Sequence, residues 1–151
     1  MNFIKIIIDF YCLVNGFQVK ELKTKSQLKA SFDLKNKISQ ELYGLPPLPA
    51  RDEFIYPEGG AYFLGIYKKK EMIGCVHLMD LSKIQPYIAM LYADVIFDYD
   101  PQKTYEVKSL VVDMKYQNRM GTVYKIMIYY CMLFTRKTGR NKWLVGSRNS
   151  F

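Results

Sequence analysis

A chain of 151 residues has the size of one domain, enough to bury roughly 70% of its unfolded surface around a single core. Half of the residues are apolar, 15% are aromatic and 24% are charged, a balance that excludes a disordered or fibrous chain. The formal charge of +8 favours an anionic partner, whether nucleic acid, an acidic carrier protein or a phosphate-bearing cofactor, without choosing among them.

The run from Phe3 to Val14 is apolar but carries Lys5 and Asp9. It is too short to span a bilayer and lacks the clean apolar centre of a signal peptide, so it reads as a buried first element. A strand is expected from Phe17 to about Lys23, then an amphipathic helix from Lys25 to Tyr43. Leu34, Ile38 and Leu42 recur at steps of four, Thr24 and Gln27 have the spacing of a capping box, and Gly44 stands where a C-terminal cap belongs. The Pro-rich stretch from Leu45 to Pro49 is a surface connection. Two β-rich runs, Tyr62 to Tyr67 and Met72 to Met79, flank Lys68-Lys69-Lys70-Glu71 and predict an antiparallel hairpin with a solvated lysine tip. A third such run, Tyr105 to Asp113, ends in the polar turn Lys115 to Arg119. The turn opens onto an apolar run from Thr122 to Thr135, a helix packed on most sides, with Gly139 just past its end. Lys142 to Gly146 is a last short strand. Strand, helix, two hairpin strands, strand, helix and strand make an α/β or α+β arrangement around one sheet.

Chemistry concentrates between Tyr105 and Val123, where a β-branched strand, a tight polar turn with Gly121 and a buried helix follow one another. The first turn of a helix has backbone N–H groups without intrahelical partners and a partial positive charge, so it suits a phosphate. The same layout also closes purely structural βα units, and neither the dinucleotide glycine spacing nor a P-loop lysine is present. Cys12, Cys75 and Cys131 lie far apart, without metal-site or disulfide spacing, and read as reduced thiols of a cytoplasmic protein. His77 is the single histidine; it sits in an alternating strand and reads as a half-buried, hydrogen-bonded side chain, so no metal site is expected. Tyr129 and Tyr130 read as core positions of the apolar helix.

The same segment resembles the cofactor-binding motif of the GCN5-related N-acetyltransferase (GNAT) superfamily, in which a strand ending in Leu-x-Val precedes Asp-Pro-x-Tyr and Arg/Gln-x-x-Gly-x-Gly/Ala. Leu110-Val111-Val112, Asp113, Tyr116 and Gln117 stand at the matching spacings and Thr122 takes the final small position. Met114 replaces the Pro, and Met120 fills the first Gly position with Gly121 one place later. Lys142 to Asn149 is similar to the family's fifth strand with the Asn that follows it. The long second helix, the Pro-rich loop and the run Ile73 to Leu78 look most like the N-acyl amino acid and acyl-homoserine lactone synthases. The resemblance implies one acyl-CoA N-acyltransferase-like domain over residues 1–151, with an apolar element at 1–16 and the core at 17–151. It also implies a mixed sheet flanked by helices and lacking the family's C-terminal helix and two closing strands.

In function the resemblance implies transfer of an acyl group from acetyl-CoA, a longer acyl-CoA or an acyl carrier protein's phosphopantetheine to a small amine such as an amino acid. Main-chain groups of Leu110, Val111 and Val112 would meet the pantetheine arm. Gln117, Asn118, Arg119, Met120, Gly121 and Thr122 would cradle the diphosphate, with Asn149 completing the set. Glu106 is the candidate base, against the plainer reading of an exposed strand-end carboxylate, and Asp94, Asp98 and Asp100 compete with it. Asp113 reads as a turn former. Two other classes stay open: a non-catalytic acyl-donor-binding relative, and a basic nucleic-acid-binding domain whose aromatics stack on bases. Most aromatics fall in periodic apolar runs, which argues for a core and against nucleic acid.

Overall fold

The computed structural model describes residues 3–46, 59–86, 98–117 and 121–145. Helix α1 (Phe3–Asn15) precedes strand β1 (Phe17–Glu21) and helix α2 (Lys25–Tyr43). The hairpin strands β2 (Ala61–Lys68) and β3 (Glu71–Asp80) follow. Strand β4 (Thr104–Val112), the short helix α3 (Met114–Gln117), helix α4 (Thr122–Lys137) and strand β5 (Lys142–Val145) complete the described order.

The caps of α2 form as its sequence dictates. The Thr24 side chain accepts from Gln27 N, the Gln27 side chain accepts from Thr24 N, and Gly44 closes the other end at φ 61°, a left-handed conformation that glycine adopts without a Cβ penalty. The Lys69-Lys70 turn is shorter than the sequence implies, because Lys68 and Glu71 pair as the last rung of the hairpin.

The strands make one sheet in the order β1-β2-β3-β4-β5. The first three pairings are antiparallel and β4 with β5 is parallel, so this is the mixed sheet flanked by helices that the sequence implied. Parallel neighbours need a crossover, and α4 supplies it. On one face Leu64, Ile66, Val76, Leu78, Tyr105 and Val112 pack against Val123, Ile126, Met127 and Cys131 of α4. On the other, Leu28 of α2 packs with Phe63, and Leu34 and Ile38 pack with Cys75. Gly74 lets the layers close: a Cβ there would lie 2.9 Å from Met127 Sδ and 3.0 Å from the Val111 carbonyl oxygen.

The first element differs from expectation. It is a helix on the α4 face, and of its side chains only Cys12 is fully buried. One turn of a helix exposes most of its circumference when a single neighbour layer covers it. Ile8 and Cys12 suffice for that seam, with Tyr130 Oη donating to Asp9 at 2.7 Å. Tyr130 is thus both a core residue and the tie that holds α1.

Candidate functional site

Strand β4 is irregular where the site lies. Its register with β3 shifts between His77 and Leu78, leaving Lys108 as an extra residue on β4. Such a bulge breaks the period-2 alternation and bends the strand. Val107 and Leu110, three apart, therefore both reach the α4-side core, while Glu106 and Val111 face α2. The described residues of β5, Lys142–Val145, pair in parallel with Thr104–Val107 of β4. Residues 109–111 are only partly covered.

Asp113 turns the chain out of β4. Its carboxylate accepts from Lys115 N at 2.9 Å and from Lys37 Nζ at 2.7 Å. Burial pushes this carboxyl up, but the Lys37 and Lys115 contacts outweigh it and leave it below its ordinary range. Asp113 accordingly forms the turn, tied to the Lys115 amide and the Lys37 ammonium. Gln117 Nε2 donates to the Val112 carbonyl at 2.7 Å, which spends that side chain on the strand end. The N-cap of α4 is Gly121, at φ 62° and with no side chain to offer the first-turn amides.

Beside this helix start a cleft of about 480 Å³ is lined by Tyr11, Asn15, Phe17, Lys68, Lys115 and Tyr116. Thr122 and Val123 complete its wall. The Lys68 ammonium lies 5.5 Å from the Phe17 ring centre and 5.4 Å from that of Tyr116, so cation–π contacts hold it at the cleft. This corrects the solvated-tip reading of Lys68. The signal was hidden because it depends on pairing: Lys68 stands opposite Phe17 across β1 and β2.

Glu106 is 2% exposed, not the open strand-end carboxylate of the plainer reading. It pairs with Met79 on one side and Leu144 on the other, two residues before the bulge. Leu110, Val111 and Val112 form the end of β4, Gln117 ends α3 and Gly121 caps α4, and of the expected set Thr122 lines the cleft. Asn118, Arg119, Met120 and Asn149 lie outside the described residues, as does Asp94. Asp100 is a structural cap, accepting from Gln102 N at 3.0 Å.

Thiol chemistry has no footing here. Burial pushes Cys75 and Cys131 each up to about 12, so neither supplies a thiolate near neutrality.

His77 is fully buried at 4% exposure, not half-buried, and stacks on Phe63 with ring centres 4.2 Å apart. Desolvation, with smaller repulsion from Lys108 and Lys35, pushes it down to about 3. The unfolded chain takes up a proton near pH 6.5 that the folded protein refuses. Stability from this group is therefore whole above that value and falls as pH drops toward 3. Between pH 7 and pH 5 the loss comes to about 2 kcal/mol. Urea midpoints across that interval should drop for the wild type and much less for His77→Phe; equal slopes in the two proteins would remove His77 as the cause.

No protein-family model and no curated relative matches the chain. Solved structures do share its fold. An aminoglycoside acetyltransferase from an uncultured soil metagenomic sample, in complex with sisomicin, superposes with a TM-score of 0.63 at 13% identity, over 91% of this chain and 81% of that one. A ribosomal-protein-alanine N-acetyltransferase from Brucella melitensis biovar Abortus 2308 gives 0.61 at 13% identity, over 89% and 82%. An aminoglycoside N-acetyltransferase in complex with CoA gives 0.56 at 10% identity, over 88% and 81%. The chain thus shares the fold of these acetyltransferases, a mixed sheet flanked by helices.

Proposed function

We propose that this protein is an N-acyltransferase that takes an acyl group from acyl-CoA and delivers it to a primary amine. One observation carries the reading: β4 leads through the Asp113 turn to the first turn of α4, where Thr122 and Val123 share a cleft with Lys68 and Lys115. Donor and diphosphate requirements meet there. An extended pantetheine arm needs strand-like amide partners, which residues 109–112 can provide. The phosphates need cationic and N–H donors, which Lys68, Lys115 and the first turn of α4 can provide. Two lysines suit the several phosphates of CoA better than the single phosphate of a carrier protein, so a CoA thioester is the preferred donor. An amino acid acceptor and acyl chains longer than acetyl are the finer form of the proposal, resting on the likeness to N-acyl amino acid synthases.

In the reaction an ammonium acceptor first loses a proton, directly or through water, to the Glu106 carboxylate. The free amine attacks the thioester carbonyl carbon, the C–N bond forms, and the C–S bond breaks to leave amide and thiol. A main-chain N–H of β4 near the carbonyl oxygen would contribute roughly 3 kcal/mol to the transition state.

Isothermal titration with CoA tests the donor site. Micromolar binding is expected, weakened at least about tenfold in Lys68→Glu/Lys115→Glu, since each charge-assisted phosphate contact is worth roughly 1.5 to 3 kcal/mol. Absence of binding at millimolar CoA would overturn the proposal. Thiol release from acetyl-CoA over an amine panel then separates a transferase from a protein that only binds the donor.

A further inference from the structure

The cleft at the start of α4 has two kinds of wall. Lys68, Lys115 and the first-turn amides of α4 suit phosphates. The other wall comes from the end of α1, an element that precedes the strand, turn and helix of the acyltransferase likeness. Ile8, Tyr11, Cys12 and Asn15 stand at i, i+3, i+4 and i+7, one stripe of that helix. Ile8 and Cys12 seat the stripe in the core, and the bond from Tyr130 to Asp9 ties the helix in place. Tyr11 and Asn15 are thereby set at the cleft, which both line.

This second wall is wrong for a phosphate. The last turn of a helix offers backbone carbonyls and a partial negative charge. Asn15 Nδ2 donates to the Tyr11 carbonyl at 2.9 Å, which leaves Oδ1 of that side chain as an acceptor. Acceptors at a negative helix end repel phosphate oxygens and receive an N–H. Tyr11 adds a flat ring, 40% exposed and backed by Phe17 in a stack with centres 6.3 Å apart and planes at 28°. A backed aromatic face beside an amide oxygen suits a heteroaromatic base that carries an exocyclic amino group. At about 480 Å³ the cleft has the volume of a site for a whole ligand of drug size, more than a diphosphate fills.

We infer that Tyr11 and Asn15 bind the adenine ring of the donor's nucleotide, Tyr11 by stacking on the base and Asn15 Oδ1 by accepting from its exocyclic amino group. Given the CoA reading, on which this assignment rests, α1 selects the donor: it reads the nucleoside, which the phosphopantetheine of a carrier protein lacks. It also selects the base. Guanine carries a carbonyl oxygen where adenine carries its amino group, and would set acceptor against acceptor at Asn15.

Titration calorimetry of the full chain with CoA, 4′-phosphopantetheine, adenosine 3′,5′-bisphosphate and its guanosine counterpart separates the base site from the rest of the cleft. The wild type should favour the adenosine compound over the guanosine one by about tenfold, the discrimination one base-edge contact gives. Tyr11→Leu keeps an apolar side chain against Phe17 and loses the aromatic face. It should weaken CoA and adenosine 3′,5′-bisphosphate alike by about tenfold and leave 4′-phosphopantetheine unchanged, whereas Tyr11→Phe should bind as the wild type does. Asn15→Leu should erase the preference for adenine; Asn15 is exposed, so this variant keeps the fold even where Tyr11→Leu loosens α1. CoA bound equally by the wild type, Tyr11→Leu and Asn15→Leu overturns the inference and leaves the donor site standing. Tyr11-dependent capture of adenosine 3′,5′-bisphosphate without any binding of CoA overturns the donor reading and upholds the base site, and capture of neither overturns both.

Discussion

Glu106→Gln is expected to lower turnover of acyl-CoA with its amine by 10² to 10⁴-fold, roughly the range a positioned general base supplies, while CoA affinity stays at the wild-type level. The amide keeps the size and most of the hydrogen-bonding capacity of the carboxylate in a site that is 2% exposed, so packing should survive. What is lost is the ability to take a proton from the incoming ammonium. The distinguishing measurement is the pH profile of kcat/KM. Removing the base should shift reactivity toward high pH, where the amine arrives already deprotonated, and the variant should recover most of its deficit there. A uniform loss across pH would mean that Glu106 shapes the strand and another group moves the proton. Among the acids near β4 in sequence, Asp100 is already committed to its cap and Asp113 to Lys37 and the α3 turn. Asp98 would then be the next substitution to make.

The elements of this fold were legible where local chemistry decides them. Thr24, Gln27 and Gly44 fix both ends of α2 through contacts within four residues, and the helix falls on Lys25–Tyr43 as the spacing predicts. β4 is similarly marked by Tyr105, Val107, Val111 and Val112, with its boundaries one residue from expectation at each end. The bulge at Lys108 was not legible, because it is set by how β4 meets β3 and not by any residue that demands it. The same holds for Lys68, whose place at the cleft depends on Phe17 and Tyr116 from two other elements. Apolar content predicted burial of the first element, yet content cannot say how many layers will cover a helix. With one sheet face already filled by α4, α1 had room to bury a single narrow seam. The candidate site follows the same division: the turn acid and the helix start were readable, while the depth of Glu106 is a tertiary fact.

Strands β3, β4 and β5 are tied together at one end by a clamp, and breaking it should cost about 3 kcal/mol. Arg140 Nη2 donates to Asp80 Oδ1 at 3.0 Å, to Oδ2 at 2.9 Å and to Ser82 Oγ at 3.0 Å. Its guanidinium lies 5.9 Å from the Tyr105 ring centre. Asp80 is the last residue of β3, and Arg140 stands just before β5, where Asn141 N donates to the Lys103 carbonyl at 3.1 Å. The pair therefore fixes the start of β5 against β3 and β4. Burial pushes the Asp80 carboxyl up, but Ser82 and Arg140 outweigh it and hold it below its ordinary 3.8. That contribution is present above pH 3.8 and fades as the pH falls through the lower folded value. In Arg140→Ala the carboxylate stays buried and loses its cation, so the destabilisation should be largest near pH 7 and shrink as acid protonates Asp80. The Asp80→Asn/Arg140→Met double variant, with no charge left uncompensated, should recover much of the loss. Denaturant unfolding at pH 7 and pH 4 reads both effects. A deficit of the same size at the two pH values would assign the role of Arg140 to packing on Tyr105.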